Sequence, residues 1–235
     1  MEKKARSATL QKCIVICSGG MDSTTLLYEM VNDPYFNVVG VLSFDYGQRH
    51  KKELEYAKQT CKKLIQEHHI VDLTTLQPLL KGSALTDNIE VPHGHYEQDN
   101  MKLTVVPNRN MIMLSIAIGY AISKDADFVV YGAHSGDHHI YEDCRPEFVD
   151  KLNEVAQIAN YKPIDIVAPY INENKSTILA KGLKIGVPYE ETWTCYAGGE
   201  KACGRCGSCQ ERLEAFKNNN IEDPLDYISR DIISK

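Results

Sequence analysis

The chain has 235 residues, 43% of them apolar, and a formal net charge of −6. That is enough apolar material for a full core in one domain, or in one domain with a small appendage, and the acidic balance excludes a global basic field for gripping a polynucleotide by its phosphates. Residues 1–12 are polar and basic and the apolar run after them is only five residues long before Ser18, too short for a signal peptide or a membrane span; a cytoplasmic protein with no direct nucleic-acid or membrane partner is expected, its eight cysteines reduced.

In chain order, residues 13–17 read as a buried strand that runs through Ser18, Gly19, Gly20, Met21, Asp22 and Ser23 into a helix over 24–31. Two glycines let the backbone approach a ligand with no Cβ in the way, and Ser18, Ser23 and Thr24 add hydroxyl donors. The free amides of the helix start point at the same spot with the positive end of the helix dipole. This is the make-up of a pyrophosphate cradle, flanked by Cys17, Thr25, Leu26 and Leu27. A small, polar strand-to-helix connection is the plainer alternative. No Gly-Lys-Ser/Thr follows, so it is not a Walker loop. Asp22 stands where that loop would carry its lysine, and a carboxylate beside phosphates calls for a divalent cation between them, so ATP with magnesium is expected. The string resembles the signature of the PP-loop ATP pyrophosphatases, which implies cleavage of ATP between the α and β phosphates to adenylate a substrate.

Strand and helix patterns then alternate. A near-continuous apolar strand over 38–44 precedes a helix over 51–66 with Leu54, Ala57, Cys61, Leu64 and Ile65 on one face; a short strand covers 69–73. An apolar helix over 110–121 is entered through Pro107, and a strand over 127–131, a helix over 147–158, a strand over 164–168 and a helix at about 176–184 follow. The alternation predicts an α/β fold, a doubly wound parallel five-stranded sheet, with ligands beyond the carboxyl ends of the strands. Residues 74–106, with Pro78, Gly82, Pro92 and Gly94, break the pattern; a loop of that length is expected to be a lid or substrate-binding insertion. His134, His138 and His139 follow no ligand spacing and read as loop residues, and Cys144, lacking a local base, reads as a buried thiol.

Cys195, Cys203, Cys206 and Cys209 form two Cys-x-x-Cys steps sharing Cys206, with a fourth thiolate upstream and glycines at 204 and 207 for tight turns. Such a set closes a tetrahedral shell, which suits one structural zinc per chain. An iron–sulfur cluster is the competitor, although the downstream cysteine and proline of the ferredoxin run are missing. A helix over 210–216 would be anchored by the metal.

Ser18 to Thr25, the string Phe44-Asp45-Tyr46-Gly47-Gln48-Arg49-His50, the Pro107-Asn108-Arg109-Asn110 turn, Asp143-Cys144-Arg145 with Glu147-Phe148, and Thr194-Cys195-Tyr196 with the cysteine tail together resemble the 7-cyano-7-deazaguanine synthases of queuosine biosynthesis, over about residues 13–230. Two positions depart from the family pattern: Asn108 replaces a glycine, though asparagine can still take a left-handed turn, and Glu142 replaces a proline. The resemblance implies an adenine nucleotide alpha hydrolase-like fold, with a PP-loop domain over 1–190 carrying the 74–106 insertion, a zinc-binding region over 191–235, and a homodimer. It further implies an ATP-dependent ligase that turns 7-carboxy-7-deazaguanine and ammonia into the nitrile, splitting two ATP to AMP and diphosphate. In that scheme Ser18, Gly19, Gly20, Asp22, Ser23 and Thr24 hold the pyrophosphate and its magnesium. Lys175 neutralises the same phosphates, unless it is only a solvated helix-start lysine. Arg109 and Arg145 are candidates for the substrate carboxylate or the α-phosphate, with structural ion pairs as the alternative. Phe44 and Tyr46 flank adenine or belong to the core, and His50 is a candidate acid/base for dehydrating the amide. A tRNA-thiolating PP-loop enzyme and a zinc-ribbon interaction module are the competing classes; the first would bring a basic RNA-binding domain, and the second leaves the cradle unexplained.

Overall fold

A computed structural model describes residues 10–233; most of the polar, basic opening read above lies outside them. Five strands, β1 (Gln11–Ile16), β2 (Phe36–Asp45), β3 (His68–Asp72), β4 (Phe128–Val130) and β5 (Asp165–Val167), form one sheet in the order β3-β2-β1-β4-β5, and every neighbouring pair is parallel. The helices are α1 (Met21–Asn32), α2 (Lys52–Lys63), α3 (Arg109–Ser123), α4 (Pro146–Ile158), α5 (Lys175–Lys184) and α6 (Gly207–Asn218).

Side chains alternate across the central strand as a strand's period of two requires. Cys13 and Val15 face a core shared with Leu26 and Leu27 of α1, Ala57 and Cys61 of α2 and Ile178 of α5. Ile14 faces the other core, with Leu114 and Ala117 of α3 and Leu152 of α4. Both faces of the sheet are therefore covered, the arrangement the alternating pattern predicted. The chain reverses its direction of winding between β1 and β4, which opens a crevice at their carboxyl ends.

Two boundaries differ from the sequence reading in ways that matter. Helix α1 begins at Met21 rather than 24, so Asp22 and Ser23 belong to its first turn. Helix α2 stops at Lys63; Ile65 has a positive φ of 58° and is 91% exposed instead of lying on the buried face. Residues 74–106 contain only two short 3-10 turns, Thr74–Leu79 and Asp99–Thr104. Part of the segment packs behind the cysteine cluster, where Ala84 and Val91 share a small core with Trp193, Cys195, Cys206 and Cys209, and the Gly94 amide donates to the Arg205 carbonyl; Tyr96, Met101 and Thr104 line a small pocket beside the cleft with Ser208 and Glu211. Helix α6 lies on α1 and α5 through Met21, Tyr28, Leu179, Ala215 and Phe216. Among the described residues no helix is long and apolar enough to cross a membrane.

Candidate active site and metal centre

The loop after β1 owes its shape to Gly19, whose φ is +89°; a Cβ there would collide with the Glu53 carbonyl of α2. The sharp turn lets Gly20 cap α1 with no side-chain partner, leaving the first amides of the helix free. Ser18 and Ser23 brace the turn: their hydroxyls lie 3.1 Å apart, Ser23 Oγ accepts the Ser18 amide at 3.1 Å, and Ser18 Oγ accepts the Gly20 amide at 3.2 Å. The Trp193 amide donates to the Gly19 carbonyl at 2.9 Å, tying the chain that leads to the cysteines directly to the cradle.

Around this turn lies a solvent-open cleft with about 1100 Å³ of empty space, lined from β1, β2 and β4 and from the C-terminal segment. Asp22 enters it from the first turn of α1. Its Oδ2 is 3.2 Å from Lys175 Nζ, and its Oδ1 is buried with no hydrogen-bonding partner. Lys175, at the start of α5, is only 6% exposed and donates to Glu211 Oε2 at 2.7 Å; it is not the solvated surface lysine that its position at a helix start allowed. Burial works to lower the ammonium pKa, and Asp22 and Glu211 outweigh it, holding Lys175 above the ordinary lysine value. His134 stands beside them, 2% exposed. Its Nε2 is 3.6 Å from Asp22 Oδ2 and 3.5 Å from Asp137 Oδ2, and its Nδ1 accepts the Gly136 amide at 3.1 Å. Burial opposes the imidazolium, and Asp137, Glu211 and Asp22 together raise its pKa above the usual value.

The cleft is also lined by Phe44, Tyr46, His50, Glu53 and Arg109. Phe44 and Tyr46 are at once lining and core. The Arg109 guanidinium lies between the rings of Tyr46 and Tyr141, 5.7 Å from each centroid, and among the described residues it makes no ion pair with a carboxylate. Asn108, just before it, takes the left-handed conformation, φ 56°, which asparagine tolerates. Arg145 goes elsewhere: it does not line the cleft, and its Nε donates to the His138 carbonyl at 2.8 Å while its guanidinium lies 3.6 Å from Glu142. His50 is 3% exposed, and burial, with the charge of Arg109, lowers its pKa to about 3, which makes it a weak base at neutral pH. Cys144 is a buried thiol pushed well above the ordinary cysteine value by burial and by Asp137 and Asp143. Lining residues not assigned to the site from sequence include His134, Glu53, Tyr131 and Glu211; Tyr131 and His134, just past the carboxyl end of β4, stand where the topology directs attention.

Burial raises the Glu53 carboxyl to about 8, against which Gln48 and Arg109 pull. The folded protein therefore keeps a proton there that an unfolded glutamic acid releases near 4.5, so the contribution to stability is full below that value and falls as pH rises towards 8. His50 acts oppositely, costing stability as pH falls below about 6.5. Stabilities from melts between pH 6.5 and 8 isolate the first effect: Glu53→Gln should gain on the parent across that window by about 2 kcal/mol, with a matching relative rise in Tm. A difference that does not change with pH would refute the protonated carboxyl.

The four cysteines converge. The sulfurs of Cys195, Cys203, Cys206 and Cys209 all lie within 4.8 Å of one another, so the group can hold a metal. Amides of Arg205 and Cys206 donate to Cys203 Sγ at 3.3 Å, and the Cys203 amide to Cys195 Sγ at 3.2 Å, which stabilises thiolates. Gly204 makes the turn between ligands at φ +72°, where a Cβ would strike the Ser229 carbonyl. Cys206 caps α6 and Cys209 sits in its first turn, in the positive field of the helix start.

The family model described as queuosine biosynthesis protein QueC matches residues 12–220. Similar proteins include the 7-cyano-7-deazaguanine synthase of Alteromonas mediterranea, 59% identical over 217 residues that cover 92% of this chain and 99% of that one. That of Hahella chejuensis is 56% identical over 229 residues, 97% of this chain and 98% of its own. Among solved structures, the tRNA thiolase NcsA from Methanococcus maripaludis, described with a 4Fe-4S cluster, superposes with a TM-score of 0.51 at 16% identity, over 92% of this chain and 68% of that one; at that identity the likeness is one of fold.

Proposed function

The chain belongs to the QueC family of queuosine biosynthesis proteins, and on that premise we propose that it converts 7-carboxy-7-deazaguanine and ammonia to 7-cyano-7-deazaguanine at the expense of two ATP, each split to AMP and diphosphate. The observation that carries the proposal is the meeting of Asp22, Lys175 and the free amides of α1 in a cleft that Arg109 also lines, with no carboxylate ion pair of its own among the described residues.

A carboxylate is a poor electrophile. In the first activation its oxygen attacks the α-phosphate and diphosphate leaves; ammonia then displaces AMP to give the amide. In the second, the amide oxygen attacks another α-phosphate and diphosphate leaves; the nitrogen then gives up both of its protons as the C–O bond to AMP breaks, leaving the nitrile. The α1 amides and the Ser18 and Ser23 hydroxyls hold the leaving diphosphate, and Lys175 meets the charge that builds on the phosphates. The orphaned Oδ1 of Asp22 would hold a magnesium ion, which when bound would supply positive charge beside the phosphates. Arg109, held between two rings, offers its fork to the substrate carboxylate. The neutral His50 and Glu53 hydrogen-bond without introducing charge; the low pKa of His50 argues against its serving as general base.

Zinc suits the cysteine cluster. A Zn–S bond of about 2.3 Å puts tetrahedral thiolates about 3.8 Å apart, and Cys203 Sγ lies 3.9 Å from Cys209 Sγ, whereas a cubane cluster, with a separate iron under each cysteine, spreads its thiolates wider. Eight unpaired cysteines support a reducing, cytoplasmic setting, and the homodimer rests on the family resemblance alone. The test is AMP and diphosphate formation: 7-carboxy-7-deazaguanine with ammonium should drive it, and tRNA should not. AMP formed with tRNA and none with the acid would overturn the proposal.

A further inference from the structure

Glu211 belongs to neither motif, yet it joins them. It lies two residues after Cys209, about 200° around α6 from it at about 100° per residue, so a helix fixed by the metal on one side turns Glu211 into the cleft on the other. Ser208, three residues before it and on the same face, lines the cleft too. The carboxylate is 10% exposed and tightly placed. Its Oε2 receives Lys175 Nζ at 2.7 Å and its Oε1 is 3.8 Å from His134 Nδ1, while Oε1 lies so close over Gly136 that a Cβ there would collide with it. The helix itself cannot drift. Arg212, with no exposed surface, grips Asp223 through Nε at 2.7 Å, Thr192 Oγ1 at 2.7 Å and the Tyr189 carbonyl at 2.9 Å.

We propose that Glu211 is a positioning residue for Lys175, and that through it the cysteine-bound metal sets the geometry of phosphate activation. Lys175 has two carboxylates within reach. Held by Glu211 alone it would be free to turn two of its protons to the phosphates; without Glu211 it would collapse onto Asp22, the residue whose charge the magnesium needs. Glu211 thus draws the ammonium from full pairing with the loop carboxylate, which it reaches at 3.2 Å against 2.7 Å to Glu211. The inference rests on the reading of the cleft as an ATP-splitting site, but it assigns a role to a residue outside the cradle and a catalytic consequence to a metal otherwise only structural.

The test is a double-mutant cycle on the metal-loaded protein, with AMP formation and metal content measured together. Glu211→Gln should keep one metal per chain and lower kcat about tenfold or more, while KM for ATP stays within about threefold. Lys175→Met should cost more, and the double variant should be no slower than Lys175→Met alone, because Glu211 acts only through the lysine. Glu211→Asp, which keeps the charge but shortens the reach, should also retain the metal and lose rate; it carries the test if the glutamine variant does not fold. Metal lost from either variant, a rate unchanged in Glu211→Gln, or a double variant slower by the product of the two single effects would each overturn the inference. If the parent protein makes no AMP at all, the ATP-splitting reading fails instead.

Discussion

Asp22→Asn is expected to leave the protein folded with its cysteine-bound metal in place and to lower AMP formation on the order of a hundredfold or more. The substitution keeps the shape of the side chain and one oxygen, so the turn around Ser18 and Ser23 is not disturbed. What goes is the charge. Oδ1 is the buried, unpartnered oxygen suited to a cation, and Oδ2 is one of the two anionic contacts of Lys175. The variant should bind magnesium nucleotide poorly and leave Lys175 paired to Glu211 only. A magnesium titration of AMP formation checks this: extra magnesium should recover only a small part of the rate. Turnover within about threefold of the parent at ordinary magnesium would remove Asp22 from the role given to it.

Cys206→Ser is expected to release about one metal per chain and to unfold the C-terminal region first. Structural zinc supplies folding free energy directly, apparent values being roughly 10 kcal/mol or more in small zinc-binding peptides. Cys206 is fully buried and caps α6, so the helix loses its start as well as its ligand. The damage should spread, because α6 carries Glu211 to Lys175 and Arg212 to the 189–194 segment, and the Trp193 amide holds the Gly19 carbonyl. Loss of activity should therefore precede global melting as metal is stripped. Elemental analysis decides the metal: zinc near one per chain supports the account, and iron with sulfide in anaerobically purified protein would replace zinc by a cluster.

How much of this was legible in the chain divides along physical lines. The sheet was legible because its strands are short apolar runs punctuated by glycine and polar residues, and the cradle and the cysteine cluster were legible because their chemistry is local: a turn and a ligand shell each fit in a dozen or so residues. Helix ends were less so. Nothing in the composition of 51–66 says that the helix stops at Lys63, where Ile65 takes a left-handed conformation, and the turn before α1 packs Gly19 so closely on the Glu53 carbonyl that only tertiary structure reveals it. The rest of the site was hidden because it is assembled from afar. Lys175 was visible as a helix-start lysine, but its burial is decided by Glu211 and Asp22, 36 and 153 positions away by residue number. Arg109 and Arg145 look equivalent in sequence; only the fold places the first between two tyrosine rings in the cleft and the second on a backbone carbonyl outside it. The long 74–106 segment read as a lid or substrate-binding insertion, and no local pattern in it shows that part of it also backs the cysteine region.

The central claim is that one cleft performs both activations, so the amide must be a true intermediate whose oxygen takes the place of the carboxylate oxygen against the α-phosphate. The most direct measurement supplies 7-amido-7-deazaguanine as sole substrate with ATP and magnesium and no ammonium, and counts nitrile and AMP. One AMP per nitrile is expected from the amide, against two from the acid with ammonium. No nitrile from the amide under conditions where the acid turns over normally would contradict the account.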